Sequence, residues 1–152
     1  MASELTAAEV LARVPQQEPF RFIDAIHELD REHIVASYRY PVDADFYRGH
    51  FPGNPITPGV ILIETMAQAG VVALGIYLYA LEVGAEEIEK IVTVFTDCAV
   101  DFSGQVLPGD RVTTTGKVKF FRRKKLRAAV EMRLDDGTLV CSGELSGMGV
   151  PR

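Results

Sequence analysis

The chain has 152 residues, 47% hydrophobic and 24% charged, the ordinary make-up of one globular domain (1–152) with a genuine core. Sixteen basic against 21 acidic residues leave a net charge of -5, which argues against non-specific nucleic-acid binding as the main activity. The start Met1-Ala2-Ser3-Glu4-Leu5 has neither the basic opening nor the apolar run of a secretory leader. A cytoplasmic location is therefore expected, with Cys98 and Cys141 as reduced thiols.

In chain order, Thr6-Ala7-Ala8-Glu9 has capping-box spacing and predicts a short helix over 7–13, ended by Pro15. Phe20 to Ile26 is apolar and aromatic enough for a strand, and His33 to Tyr40 alternates as a second, so the two are expected as a hairpin. His27 and His33 are expected to be ordinary residues of those strands. From Val60 to Leu81 the chain is almost continuously apolar, with Thr57 expected as N-cap and Pro58 as the first helical residue. At about 1.5 Å per residue this helix would span about 33 Å, long enough for a bilayer. Glu64 and Gln68 one turn apart, and the lack of basic flanks, point instead to a helix buried within a soluble fold, with no membrane span. Its small residues, Ala67, Ala69, Gly70, Ala73 and Gly75, would let a sheet or a second helix approach closely.

An acidic, turn-like segment follows over Gly84 to Glu89, and the remainder reads as strands: Ile91 to Phe102, Arg111 to Phe121, Leu126 to Leu134 and Thr138 to Met148. Pro108-Gly109-Asp110 and Asp135-Asp136-Gly137 supply turns. Two strands, one long buried helix and about four antiparallel strands make an α+β fold, with the sheet wrapped around the helix.

Chemistry concentrates between His50 and Gln68. Three prolines and three glycines within the eleven residues Gly49 to Gly59 restrict or specialise the backbone more than a mere connection needs, so the loop reads as built to hold His50 still. Imidazole is the side chain suited to move a proton near neutral pH. Glu64 sits among Ile61, Leu62, Ile63, Met66 and Ala67, where desolvation would raise its pKa and leave it able to donate a proton. Gln68, four residues on, lies on the same helix face and could hold that carboxyl by a hydrogen bond. Gly59 and Val60 open the helix, where free amides and the positive end of the dipole suit an oxyanion or a polarised carbonyl. A base, an acid and a carbonyl-polarising amide suffice to abstract a proton α to a carbonyl with loss of a β-leaving group. No metal-ligand spacing, phosphate loop or nucleophile elbow is present, so neither metal nor cofactor is expected.

The run His50-Phe51-Pro52-Gly53-Asn54-Pro55-Ile56-Thr57-Pro58-Gly59-Val60, with Glu64-Thr65-Met66-Ala67-Gln68-Ala69 after it, resembles the signature of the FabZ-type 3-hydroxyacyl-[acyl carrier protein] dehydratases. The resemblance extends through Pro19-Phe20-Arg21-Phe22-Ile23-Asp24 and Val106-Leu107-Pro108-Gly109-Asp110, over about 15–146. It implies a hotdog fold, His50 as base, Glu64 as acid and the Gly59 amide on the thioester carbonyl. It also implies no cofactor, and a homodimer or trimer of dimers in which His50 of one protomer shares a site with Glu64 of another. Pro15-Gln16-Gln17-Glu18 stands where many relatives carry Pro-His-Arg, a departure near the acyl entrance. Glu64 occupies the place where FabA-type dehydratase/isomerases usually have Asp, which favours dehydration without isomerisation.

Seven of the 16 basic residues fall within 117–127, so this stretch is either a solvated hairpin end or a patch for an acidic partner. The resemblance implies acyl carrier protein as that partner, with Arg122, Arg123, Lys124 and Lys125 as candidate docking residues. A non-catalytic acyl-thioester binding module and a hotdog thioesterase are the competing functions. The first would gain nothing from burying a carboxyl. The second leaves the long dehydratase-like motif unexplained.

Overall fold

The computed structural model describes residues 4–152. Met1 to Ser3, part of the segment read for export, lie outside the described residues. Helix α1 (Ala7–Arg13) begins with the expected capping box: the Thr6 hydroxyl accepts from the Glu9 amide, and the Glu9 carboxylate accepts from the Thr6 amide. A hairpin follows, of β1 (Ala25–Leu29) and β2 (His33–Arg39). The first strand therefore starts five residues later than the expected Phe20. Phe20 and Phe22 give their backbone groups to the Gln68 side chain instead of to a neighbouring strand. His27 and His33 are strand residues, as expected: His27 meets the Ser37 hydroxyl, and His33 bridges Glu28 and Asp30, whose hydrogen bonds raise its pKa.

The apolar run forms one continuous helix, Gly59–Val83, built of α2 (Gly59–Ala67), a π-helical segment Gln68–Ala73, and α3 (Leu74–Val83). It is long and apolar enough to cross a membrane, yet 67% of its most apolar window is buried inside the protein. The N-cap differs from expectation. Pro58 occupies that position, and the Thr57 hydroxyl is instead bonded to the buried Tyr47 hydroxyl at 2.6 Å. The acidic, turn-like segment forms a 3-10 turn, Ala85–Lys90.

Strands β3 (Ile91–Phe102), β4 (Arg111–Arg122), β5 (Lys125–Leu134) and β6 (Leu139–Pro151) complete one antiparallel sheet of order β1-β2-β4-β5-β6-β3. Strands β2, β4, β5 and β6 all contact the π-helical segment, so the sheet wraps the helix at its middle. This is the hotdog arrangement that the motif implies. Strand β3 ends the sheet, with one side unpaired and Val94, Phe95 and Phe102 more than 40% exposed.

The small residues of the helix serve the sheet. A Cβ placed on Gly116 of β4 would lie 3.0 Å from the Gly70 Cα, and one on Gly70 would lie 2.7 Å from Val130 Cγ2. Helix and strand thus meet backbone to backbone, which only glycine permits. Gly116→Val is expected to destabilise the fold by about 1–3 kcal/mol, the range for overpacked cores, because the helix backbone cannot yield as a flexible side chain would. A lowered urea midpoint with an unchanged slope is the measurement.

Candidate active site

His50 is held from three directions. Its amide donates to the Phe46 carbonyl at 3.1 Å, its carbonyl accepts from the Ile56 amide at 3.0 Å, and its ring stacks on Phe51 with centroids 4.1 Å apart. Its Nδ1 lies 2.9 Å from the Ile56 carbonyl oxygen. A carbonyl can only accept, so Nδ1 carries the hydrogen, and in the neutral ring Nε2 is the basic nitrogen. The proline-rich loop curls back so that residue 56 fixes the tautomer of residue 50.

Glu64 projects from α2 and is half-buried. Burial pushes its pKa above the usual carboxylate value, an effect partly opposed by the hydrogen bond from Gln68. Gln68 is fully buried and spends its whole amide: Nε2 donates to Glu64 Oε2 at 2.9 Å and to the Phe20 carbonyl at 2.8 Å, while Oε1 accepts from the Phe22 amide at 2.7 Å. The carboxyl is thereby tied through one side chain to the segment before β1. Sequence reading paired Gln68 with Glu64 but missed Phe20 and Phe22. They are 48 and 46 residues away, and no local spacing signals their contact.

Gly59 opens α2, and its amide precedes the first helical bonds, which run from Ile61 and Leu62 to the Pro58 carbonyl. The Phe102 ring lies over it, so that a Cβ at Gly59 would sit 3.2 Å from the ring edge. A side chain there would displace the ring or shield the amide.

Within one chain, the groove beside Glu64 does not include His50. This groove, of about 300 Å³, is lined by Gln16 and Phe20, by Ala67, Val71 and Val72 of the helix, and by Thr93, Val94 and Phe95 of β3. His50 is absent from that lining, and among the described residues no hydrogen bond joins it to Glu64. The groove opens beside the unpaired edge of β3.

The basic run divides in two. Arg127 pairs with Asp97 and Glu144, and Lys119 with Glu144, which neutralises that part of the sheet face. Arg122, Arg123, Lys124 and Lys125 form the β4–β5 turn, and among the described residues none makes an ion pair. Arg123 and Lys124 both adopt left-handed backbone, with φ of 53° and 65°, as a two-residue hairpin turn demands. The cations of Arg122 and Lys124 lie over the rings of Phe120 and Tyr79. Cys98 is exposed on β3 and Cys141 is buried against Met66, and both are free.

The burial of Glu64 has a measurable sign. Folded Glu64 keeps its proton to higher pH than the unfolded chain, whose carboxyl titrates near 4.5, so stability falls as pH rises between the two values. Glu64→Gln cannot ionise and is expected to escape that loss. It should match the parent protein at acid pH, gain on it as pH rises through the interval, and remain more stable at neutrality, as read from urea unfolding across pH.

A family model described as FabA-like domain matches residues 14–144. Two curated proteins from Streptococcus pyogenes, serotypes M5 and M1, each named 3-hydroxyacyl-[acyl-carrier-protein] dehydratase FabZ, are 36% identical to this chain over 141 residues, covering 91% of it and 94% of the relative. Among solved structures, a thioesterase from Haemophilus influenzae superposes with a TM-score of 0.69 at 13% identity, over 99% of this chain and 94% of that one. The E. coli PaaI protein superposes with a TM-score of 0.59 at 17% identity, over 81% of this chain and 80% of that one. At such low identity these structures speak for the fold alone. A match across most of the chain, with relatives of nearly equal length that share over a third of its residues, makes it a FabZ-type member of the FabA-like family.

Proposed function

We propose that the protein removes water from 3-hydroxyacyl-[acyl carrier protein] to give the trans-2-enoyl thioester, by acid-base catalysis between His50 and Glu64. The observation that carries this reading is the complementary state of the two groups. In the neutral His50 ring Nε2 is the free, basic nitrogen, because Nδ1 donates to the Ile56 carbonyl, while Glu64 is biased by burial toward its protonated form. His50 Nε2 takes the C2 proton as the Gly59 amide stabilises negative charge on the thioester oxygen. Glu64 gives its proton to the C3 hydroxyl, which departs as water. His50 is then protonated and Glu64 ionised, and transfer of one proton back through solvent restores the site.

Each site is completed by a second protomer. The Glu64 groove lies open beside the long unpaired edge of β3, whose exposed Val94, Phe95 and Phe102 make an apolar border. Such an edge is a template for another strand, and a two-fold copy pairing there would close the groove and could bring its own His50 loop to it. A homodimer is therefore the smallest active unit, whether or not dimers assemble further into trimers of dimers. The protein is read as a soluble, cytoplasmic enzyme, in keeping with a helix buried mostly by its own sheet.

His50→Ala and Glu64→Gln are each expected to lower turnover at least about 100-fold, with the fold intact. The product should be lighter than the substrate by one water, whereas a free acid would indicate a thioesterase and an unchanged substrate a binding module. Mixing the two variants under subunit exchange should restore about a quarter of parent activity, since half of randomly paired dimers carry one intact site of two. No recovery despite proven exchange would place both groups in one protomer's site.

The carrier protein is proposed to dock on Arg122, Arg123, Lys124 and Lys125, the part of the basic run left without carboxylate partners. Reversing their charge should slow turnover of the carrier-linked substrate, and added salt should mimic the change. A short thioester without the carrier should react at the parent rate. Equal loss on both substrates would mean that the turn is structural.

A further inference from the structure

The groove beside Glu64 and a second, smaller cavity share two wall residues, Val71 and Thr93. This second cavity, about 20 Å³, lies between the central helix and the sheet, against Gly75, Phe121, Leu126 and Gly147, and its lining also includes the exposed Lys124. It has room for about one water. Val71 and Thr93 meet over Gly147, where a Cβ would fall 2.5 Å from Val71 Cγ1 and 3.0 Å from Thr93 Cγ2. Gly147 leaves just enough space for the two side chains to close against the sheet.

We propose that Val71 and Thr93 form a partition that sets the upper limit of acyl chain length. The inference rests on the dehydratase reading, in which C3 of the substrate lies at Glu64 and the tail runs on along the groove. Val71 is 2% exposed and, like Thr93, β-branched, so neither can swing aside as Leu or Met would. The partition is stiff. Val71 lies seven residues beyond Glu64, about 10 Å along the helix. An extended alkyl chain with bonds of about 1.5 Å and angles near 111° advances about 1.25 Å per carbon, so about eight carbons fit between C3 and the partition. Chains of up to about ten to twelve carbons end before it, and longer ones must displace it. Beyond the partition the helix presents Gly75, where a Cβ would have only Leu126 within 4 Å, at 3.8 Å. Val71→Ala would add the volume of two lost methyl carbons to the water-sized cavity, room for about two or three further carbons.

The test compares kcat/KM for carrier-linked 3-hydroxyacyl substrates from about four to about sixteen carbons, since each methylene excluded or admitted is worth up to about a hundredfold in discrimination. The parent protein should fall sharply beyond about twelve carbons. Val71→Ala and, independently, Thr93→Ala should each raise the ratio of long-chain to short-chain kcat/KM by about tenfold or more. Thr93 is only half-buried, which keeps the test available if Val71→Ala folds poorly. Adding Gly75→Val to Val71→Ala should reverse the gain by filling the space behind the wall. A flat parent profile, or a ratio unchanged in the folded variants, overturns the partition while leaving dehydration standing. No turnover at any length overturns the dehydratase reading and the partition with it.

Discussion

A helix of 25 residues that is apolar on nearly every side cannot be left in water, and the remainder of the chain is arranged to cover it. One amphipathic layer would leave half of such a helix exposed, so the sheet must curve around it. Four strands reach its π-helical middle, and Gly70 against Gly116 brings helix and sheet to backbone contact. A π-helical turn changes how residues face their surroundings at the point of closest approach. Gln68, which bonds Glu64, and Val71, which lines both the Glu64 groove and the smaller cavity beside it, both lie within it.

The same constraint explains the chemistry. A carboxyl on an apolar helix loses hydration, which raises its pKa and favours its protonated form. Burial costs stability, and Gln68 offsets part of that cost by its hydrogen bond while anchoring Phe20 and Phe22. A glutamine amide with every polar atom bonded is a rigid link. The backbone before β1 therefore serves the acid as much as the fold, which is why that segment is not a strand.

At His50 rigidity comes from a different source. The Gly49 to Gly59 loop places the Ile56 carbonyl against His50 Nδ1 and delivers Gly59 to the head of the helix. His50 and the Gly59 amide thus share one short covalent path, whereas the groove beside Glu64 does not include His50. The loop and the helix face are prepared separately, and the open edge of β3 is the surface at which the proposed second protomer would join them.

Much of this was legible in the sequence because it depends on short-range pattern. The Thr6–Glu9 capping box, the apolar period of the helix, the alternation of β3 to β6, and the i to i+4 relation of Glu64 to Gln68 are all set by neighbours within a turn or a hairpin. The His50 to Gln68 motif carried the family resemblance in the same local way. What failed locally was decided by distant partners. Thr57 does not cap the helix because Tyr47 takes its hydroxyl, and Phe20 to Asp24 is not a strand because Gln68 takes its backbone. The tautomer of His50 was settled by a carbonyl whose position depends on how the loop closes. The partition of Val71, Thr93 and Gly147 joins residues from three elements and has no signature along the chain. Propensity and periodicity act over a few residues, whereas buried polar satisfaction and close packing are settled only when the sheet wraps the helix.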